Sequence, residues 1–237
     1  MKIEYKPATI TNIVEESPVV KRFWFKMNEA ALAFKPGQFV MLDLPIESKI
    51  TNRSYSIASA PAEDGIFELI IVLNPDGKGT PYMWENYKVG TQVPVAGALG
   101  KFTLPEVIEN DICFIATGTG IAPLRSMMHH IIKQNLPHKN SYMVFGNRTE
   151  GDILYRQEME ELAAQHPFFT FAPVLSRAGE SWEGRRGYVH PVYEELFADK
   201  RPCTFYLCGW KNMIMEARER LTAMGYEKSS IKFELYD

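Results

Sequence analysis

The chain has 237 residues, of which 46% are hydrophobic and 23% are charged, a balance that supports a buried core in one large or two ordinary domains. A formal net charge of −3 and the absence of a basic run argue against binding to DNA or RNA. The sequence contains neither the apolar core of a signal peptide near its start nor a run of about 20 apolar residues that could span a bilayer. We therefore expect a cytoplasmic, monomeric protein of two domains, with no nucleic-acid partner and no membrane span.

The three cysteines, Cys113, Cys203 and Cys208, lie in apolar runs typical of strands. Their small, odd number argues against a disulfide framework, and their surroundings argue against a metal or iron-sulphur cluster. We therefore expect no metal in the chain, so any iron-sulphur centre would belong to a separate protein.

The first half of the chain, from about residue 6 to residue 102, consists of short runs rich in β-branched and aromatic residues, interrupted by Gly, Pro, Asn and Asp. Such even spacing is typical of a small antiparallel barrel or sandwich. The predicted strands cover residues 8–14, 19–26, 38–44, 54–58, 67–73 and 92–96.

After residue 104 the pattern changes to apolar runs that alternate with amphipathic stretches. Predicted strands cover residues 111–116, 141–146, 170–175 and 204–208, and predicted helices cover residues 123–134, 155–165 and 212–224. This alternation predicts an α/β domain in which a parallel sheet has helices on both faces. We place the boundary near residues 104–110 and assign the domains as 1–104 and 105–237.

Two segments of the predicted barrel suit a phosphorylated aromatic cofactor. Strand alternation places Arg53 and Tyr55 on one face and Ser56 on the other, so a cation lies beside an aromatic ring. Residues 77–81 then form a glycine-containing turn that opens a short helix, with Thr80 as the expected N-cap, and a helix start can bind a phosphate. The alternative is an ordinary strand with an exposed Arg and Tyr.

A glycine turn connects the first predicted strand of the second domain to its helix. Gly118 and Gly120 let the backbone turn sharply and approach a ligand, and Pro123 suits a first helical turn. The helix start presents unpaired N–H groups and a partial positive charge to a phosphate. We interpret the turn as a nucleotide-binding corner, but it lacks the third glycine of the usual dinucleotide fingerprint, and an ordinary strand-turn-helix is the alternative.

Together, five motifs in one order resemble those of the ferredoxin-NADP reductase superfamily. They are Arg53-x-Tyr55-Ser56, Gly77-Lys78-Gly79-Thr80, Gly97-x-x-Gly100-x-Phe102, Gly118-Thr119-Gly120-Ile121-Ala122-Pro123 and Cys208-Gly209. The resemblance runs from about residue 6 to the end of the sequence, and it implies a flavin-binding antiparallel barrel followed by a nicotinamide-nucleotide domain. Gly97-Ala98 stands where the family usually has Gly-Pro, which leaves the detail of that loop open.

The resemblance implies a role for each residue of the barrel motifs. Tyr55 would stack on the flavin ring, Arg53 would bind the flavin phosphate, and Ser56 would hydrogen-bond near the ring nitrogen that accepts hydride. Gly79 and Thr80 would hold the pyrophosphate at the helix N-terminus, as the spacing also predicts. We expect FAD because relatives with this glycine pattern use it more often than FMN, although the residues themselves do not decide between the two.

The predicted carboxyl edge of the second domain's sheet carries several arginines. Arg148 follows one strand, Ser176 and Arg177 follow the next, and Arg185 comes shortly after, close to Tyr188. Guanidinium groups there could bind the 2′-phosphate of NADP, whereas an NAD site more often offers a carboxylate to the ribose. Bacterial flavodoxin and ferredoxin reductases of the family look similar at the three arginines, so we expect NADP. The alternatives are solvent-exposed loop arginines and the NADH use of relatives with Ser-Arg at this place.

The resemblance also assigns residues to the place where hydride is exchanged. The family places the cysteine that matches Cys208 beside the nicotinamide. Its plant-type members end in a Glu-x-Tyr similar to Glu234 and Tyr236, without the added Asp237, and their tyrosine ring covers the flavin face. Ser56, Cys208 and Glu234 would then line one spot, with Glu234 as a proton relay or orienting group. The alternatives are a buried structural cysteine and an edge strand with a polar outer face.

These assignments predict a flavoenzyme that exchanges hydride with NADPH and passes single electrons to or from a small carrier protein. The carrier would be a separate ferredoxin, a flavodoxin or the iron-sulphur protein of an oxygenase. One alternative is an NADH-dependent reductase component that serves an oxygenase or reduces free flavin or ferric complexes. A non-enzymatic alternative is a flavin-binding redox sensor or electron-transfer subunit.

Overall fold

The computed structural model describes residues 4–46 and 49–236. It contains two compact units. The first comprises the described residues up to Leu104 together with Arg125–Gln134, and the second comprises Pro105–Leu124 together with the described residues from Asn135 onwards. No helix within the described ranges is long and apolar enough to cross a lipid bilayer.

The first unit is built on six strands that pair antiparallel in the order β4-β3-β6-β1-β2-β5. The strands are β1 (Lys6–Ser17), β2 (Val20–Met27), β3 (Phe39–Ile46), β4 (Lys49–Ser56), β5 (Ile66–Val72) and β6 (Gln92–Leu99), and a short helix, α1 (Gly79–Asn86), follows β5. Just beyond β4, Ile57 bridges to Leu69 of β5, so the sheet is barrel-like without being closed by a continuous ladder. The predicted antiparallel architecture is confirmed.

Alternation along the strands fills the centre of this unit. In β3, Val40, Leu42 and Leu44 are fully buried, whereas the residues between them are partly exposed. Met83 of α1 is also fully buried against this core. The packing therefore holds the helix that follows the glycine turn against the sheet.

The second unit is a six-stranded parallel sheet in the order β10-β9-β8-β7-β11-β12. The strands are β7 (Asp111–Thr117), β8 (Ser141–Asn147), β9 (Phe169–Leu175), β10 (Arg185–Arg186), β11 (Cys203–Gly209) and β12 (Ile231–Leu235). The helices are α3 (Arg156–Gln165), α4 (Val189–Leu196) and α5 (Lys211–Ala223), and α2 (Ile121–Lys133) begins in this unit and continues in the first. Every residue of β7 except the last is buried, as expected for a central strand of a parallel sheet.

The strand order shows where the chain reverses its direction across the sheet. From β7 the chain moves to β8, β9 and β10 on one side, and it then returns to β11 and β12 on the other. Because crossovers between parallel strands are right-handed, α3 lies on the opposite face from α4 and α5, which confirms helices on both faces. Ligands of such sheets bind beyond the carboxyl ends of the strands at the reversal, which here lies between β7 and β11.

Three local features differ from the sequence prediction. Helix α4 is not predicted because it is short and its valines have weak helix propensity, and burial of Val192 and Tyr193 stabilises it instead. Strand β10 is not predicted because it has two residues. Helix α1 begins at Gly79, so Thr80 lies inside the first turn, and its prediction as the N-cap is wrong.

Candidate functional site

The first candidate site lies at the end of β4 and the start of α1. Arg53 is exposed, and its Nη1 donates to the carbonyl oxygen of Asn52 at 2.8 Å. Its side chain passes over Gly79, because a Cβ added to Gly79 would lie 3.5 Å from both Cγ and Nε of Arg53. The fold therefore brings the predicted phosphate-binding arginine next to the predicted helix N-terminus.

The start of α1 offers N–H donors without a built-in anion. Its N-cap, Lys78, makes no side-chain capping hydrogen bond, and the first turn of this described helix contains no acidic residue. The N–H groups of that turn and the guanidinium of Arg53 form a donor set that fits a phosphate. Thr80 stabilises the preceding turn, since its hydroxyl accepts the N–H of Asn74 at 2.8 Å and lies 3.3 Å from the carbonyl oxygen of the same residue.

Tyr55 supplies a largely covered aromatic ring on the same strand. Arg53 and Tyr55 pair with Leu42 and Val40 of β3, so the two side chains lie on one face, as predicted by alternation. The hydroxyl of Tyr55 lies 3.5 Å from Sδ of Met83, and burial raises the pKa of the phenol to about 12 against the opposing effect of Arg53. A neutral ring, a guanidinium and a helix start together fit a cofactor that has an aromatic ring and a phosphate.

The second candidate site lies at the carboxyl edge of the parallel sheet, where β7 and β11 end side by side. Gly120 approaches β11 so closely that an added Cβ would lie 2.3 Å from the carbonyl oxygen of Cys208. Gly209 has a φ of +128°, and a Cβ there would lie 2.4 Å from Oγ1 of Thr117. That oxygen accepts the N–H of Trp210 at 2.8 Å. The sequence does not single out Thr117, because threonine is ordinary at a strand end.

The remaining residues of the glycine motif lie in the same corner. Gly118 and Thr119 belong to a 3₁₀ turn that ends at Gly120, and Gly118 has a φ of +54°. Pro123 is the third residue of α2, where a backbone N–H has no partner within the helix. The turn and the helix start therefore present a row of N–H groups of the kind that binds phosphate.

Arg148 and Arg177 are adjacent at the carboxyl ends of β8 and β9. The N–H of Arg177 donates to the carbonyl oxygen of Arg148 at 2.8 Å, and the N–H of Ser176 donates to that of Asn147 at 3.0 Å. Both arginines are exposed, and neither side chain has an ion pair or hydrogen bond within the described ranges. Two arginines on adjacent strand ends, with no carboxylate partner there, supply the cations that a dianion such as a phosphate monoester requires.

Arg185 does not join these two arginines. Its Nη1 and Nη2 donate to the two carboxylate oxygens of Glu195 at 2.7 and 3.0 Å, and these hydrogen bonds raise the pKa of Arg185 and lower that of Glu195. Glu195 lies in the last turn of α4, which runs back from the carboxyl edge, so the pair turns Arg185 away from that edge. Tyr188, by contrast, is exposed at the start of α4. The structure thus brings together two of the three predicted arginines.

Cys208, Glu234 and Tyr236 meet at the carboxyl ends of β11 and β12. Cys208 pairs in register with Glu234, and the side chain of Tyr236 hydrogen-bonds to the thiol. Burial raises the pKa of this thiol well above its ordinary value, the charge of Glu234 acts in the same direction, and the hydrogen bond from Tyr236 opposes them. Cys208 is therefore a neutral thiol. Ser56 is buried in the first unit, and its predicted place beside these residues stays a prediction. Asp237 lies outside the described residues.

Comparison with protein families matches both halves of the chain. Residues 7–104 match a family described as an oxidoreductase FAD-binding domain, and residues 114–219 match one described as an oxidoreductase NAD-binding domain. The first match contains Arg53 and Gly79, and the second contains Gly120, the two adjacent arginines and Cys208.

Individual relatives extend the likeness over nearly the whole chain. The chain is 34% identical over 230 residues to ferredoxin–NADP reductase B of Sorangium cellulosum (strain So ce56), with 93% of each chain covered. It is 31% identical to the glycine betaine monooxygenase reductase subunit of Pseudomonas aeruginosa (strain UCBPP-PA14), where the match covers 94% of this chain and 62% of that longer protein. The crystal structure of Amycolatopsis cytochrome P450 reductase GcoB has a TM-score of 0.88 and 26% identity, covering 99% of this chain and 71% of that one.

Proposed function

Because the chain belongs to the ferredoxin reductase-like superfamily of flavin-dependent oxidoreductases, we propose that it exchanges hydride with NADPH at a bound FAD and single electrons with a separate ferredoxin or flavodoxin. The observation that carries the choice of NADPH is the adjacency of Arg148 and Arg177, whose backbones are hydrogen-bonded at 2.8 Å. The relative from Sorangium cellulosum, named a ferredoxin–NADP reductase, supports the nucleotide and the carrier.

In this proposal the first unit holds the FAD. Arg53 and the first turn of α1 bind the pyrophosphate, and Tyr55 stacks against the isoalloxazine ring. Bound flavin supplies two-electron hydride exchange and one-electron release. The largely covered, neutral ring of Tyr55 offers a flat apolar surface, so its task is to align the cofactor and to exclude water from one face.

The second unit binds the nucleotide. Arg148 and Arg177 hold the 2′-phosphate through charge-assisted hydrogen bonds, and the N–H groups of the turn that ends at Gly120 hold the pyrophosphate. At the ends of β11 and β12, the buried neutral thiol of Cys208 keeps water and charge away from the nicotinamide. Glu234, its register partner, carries the carboxylate that holds or moves a proton.

NADH use as the reductase component of an oxygenase is the second candidate function. It is favoured by the partners of Arg185 and Arg186, because Arg185 is bound to Glu195 and Arg186 to backbone carbonyl groups, so that neither guanidinium is available to a 2′-phosphate. The relative from Pseudomonas aeruginosa, named a monooxygenase reductase subunit, is of this class, but the chain covers less than two thirds of it.

An anaerobic titration of the purified flavin-loaded protein with NADPH and NADH in parallel tests the proposal. We expect NADPH to bleach the visible flavin absorbance at lower concentration than NADH, and the reduced protein to pass electrons to an added ferredoxin or flavodoxin. Preferential bleaching by NADH would support the oxygenase component instead. Flavin that stays oxidised with both nucleotides would indicate a sensor or an electron-transfer subunit.

A further inference from the structure

Arg186 makes a cluster of hydrogen bonds that the proposed chemistry does not use. Its Nη1 donates to the carbonyl oxygen of Ala178 at 3.3 Å. Its Nη2 lies within hydrogen-bonding distance of three more carbonyl oxygens, those of Gly179 at 2.9 Å, Glu180 at 3.3 Å and Trp182 at 2.7 Å. All four acceptors belong to one stretch, residues 178–182, which we call the β9–β10 loop. A guanidinium engaged in this way has both terminal nitrogens committed to the protein itself.

The β9–β10 loop closes around a buried tryptophan. Trp182 is 8% exposed, and its Nε1 donates to the carbonyl oxygen of Arg185 at 3.0 Å. A Cβ added to Gly184 would lie 2.4 Å from Cζ2 of the indole, so the backbone is pressed against the ring. Within the loop the N–H of Trp182 also donates to the carbonyl oxygen of Gly179 at 3.2 Å, and the guanidinium of Arg186 adds side-chain hydrogen bonds to four of its carbonyl groups.

The loop begins directly after Arg177 and is linked to the segment that carries Arg148 through Arg156 of α3. The guanidinium of Arg156 lies 5.5 Å from the ring centroid of Trp182, and Arg156 is ion-paired with Glu150, two residues beyond Arg148. The closed loop is therefore connected to both arginines of the proposed 2′-phosphate site. The backbone hydrogen bond from Arg177 to Arg148 immediately precedes the loop in the chain.

We propose that Arg186 is a positioning residue for the 2′-phosphate of the nucleotide, an inference that rests on the proposed NADPH site. Arg186 does not contact the phosphate, because its terminal nitrogens bind the loop. It acts by keeping the β9–β10 loop closed, so that Arg177 meets the ligand in a fixed position and little conformational freedom is lost on binding. Of the two arginines of β10, Arg185 is ion-paired with Glu195. Arg186, for which the structure describes no carboxylate partner, is therefore the one that supports the site.

The test measures dissociation constants of 2′-phospho-AMP and AMP for the flavin-loaded protein. We expect Arg186→Ala to weaken 2′-phospho-AMP binding by about tenfold and to change AMP binding by less than about twofold, because the loss is confined to the ordering of Arg177. Arg186→Lys offers three donors to four carbonyl groups and should give an intermediate loss. Arg220→Ala, which removes an exposed arginine ion-paired with Glu194 and Glu216, is the matched control and should change neither constant.

The outcomes separate this inference from the proposed function. If Arg177→Ala loses 2′-phospho-AMP affinity but Arg186→Ala and Arg186→Lys do not, the positioning role is overturned and the NADPH site stands. If the unmodified protein binds 2′-phospho-AMP no better than AMP, the NADPH proposal fails.

Tryptic cleavage after Arg177 then tests whether Arg186 holds the β9–β10 loop closed. Faster cleavage in Arg186→Ala than in Arg220→Ala supports this role, and equal rates refute it. Flavin content and far-UV circular dichroism verify folding, and Arg186→Lys serves if the alanine variant does not fold.

Discussion

Arg125 and Glu68 form a buried ion pair in the first unit, with Nη1 of Arg125 3.1 Å from Oε2 of Glu68. The same nitrogen donates to the carbonyl oxygen of Ala58 at 2.8 Å, and Glu68 accepts a second hydrogen bond from Nε of Arg22 at 2.5 Å. The backbone N–H of Glu68 donates to Oγ of Ser59 at 3.0 Å. This network fixes the chain just beyond β4, the strand that carries the proposed flavin contacts.

We expect Glu68→Gln to lower the free energy of unfolding by about 3–5 kcal/mol, because it removes the charge of the buried carboxylate that binds Arg22 and Arg125. Urea unfolding followed by far-UV circular dichroism measures the change. Arg220→Ala is the control, since it removes an arginine from exposed ion pairs and should cost less than about 1 kcal/mol. Similar losses in the two variants would contradict the importance of the buried pair.

The buried thiols predict how stability depends on pH. Burial raises the pKa of Cys113, Cys203 and Cys208, whereas a thiol of the unfolded chain has a pKa of about 8.5. Below about pH 8 the thiols are protonated in both states, so they do not change the free energy of unfolding with pH. At higher pH the unfolded chain releases thiol protons that the folded state keeps, so the free energy of unfolding falls as the pH rises. Urea unfolding between about pH 7 and 9.5 measures the fall, which should be shallower in Cys208→Ala. A free energy of unfolding that rises over this range would refute the raised pKa values of the buried thiols.

Tyr55 offers a matched pair of substitutions for the flavin site. Tyr55→Ala should leave the purified protein poor in flavin, because aromatic stacking contributes about 0.5–1.5 kcal/mol beyond area burial. Tyr55→Phe keeps the ring and removes a hydroxyl whose described partner is Sδ of Met83 at 3.5 Å, so flavin content should stay close to that of the unmodified protein. Flavin absorbance per protein and titration of the apoprotein with FAD measure both. Full flavin content in Tyr55→Ala would mean that the ring of Tyr55 does not stack on the flavin.

The elements that could be predicted from the sequence are those whose signal is local. β7 is a continuous apolar run, and β3 alternates buried and partly exposed residues, so each shows its own period. The motif that contains Arg53 and Tyr55 is equally local, because alternation alone places the two side chains on one face.

The features that could not be predicted depend on residues far apart in the chain. Glu68 and Arg125 are 57 positions apart, and nothing in either neighbourhood indicates the other. Arg185 has the same sequence signal as Arg177, but its carboxylate partner lies on α4, a helix stabilised by tertiary burial against its weak propensity. Local patterns therefore locate the arginines, and the fold decides which of them remains available to a ligand.

Arg177 is the residue at which the choice of nucleotide can be tested. Arg177→Ala should weaken NADPH by about 10- to 100-fold and NADH by less than about threefold, because hydrogen bonds to charged groups contribute about 1.5–3 kcal/mol and NADPH alone carries the 2′-phosphate. Arg177→Lys keeps the charge but loses the planar fork, so we expect an intermediate loss for NADPH. Steady-state kinetics and direct titration with both nucleotides measure these effects.

Arg148 allows a second test of the same phosphate site, through a double variant with Arg177. Because the N–H of Arg177 binds the carbonyl oxygen of Arg148, both guanidinium groups extend from one hydrogen-bonded pair of strand ends and would share one phosphate. The losses in Arg148→Ala and Arg177→Ala should therefore be non-additive in the double variant, with a coupling of about 0.5–3 kcal/mol for NADPH and none for NADH. NADPH binding should also weaken more steeply than NADH binding with added salt, since one more ionic contact is screened. Equal losses for the two nucleotides, or additive losses for NADPH, would mean that the pair does not hold the 2′-phosphate.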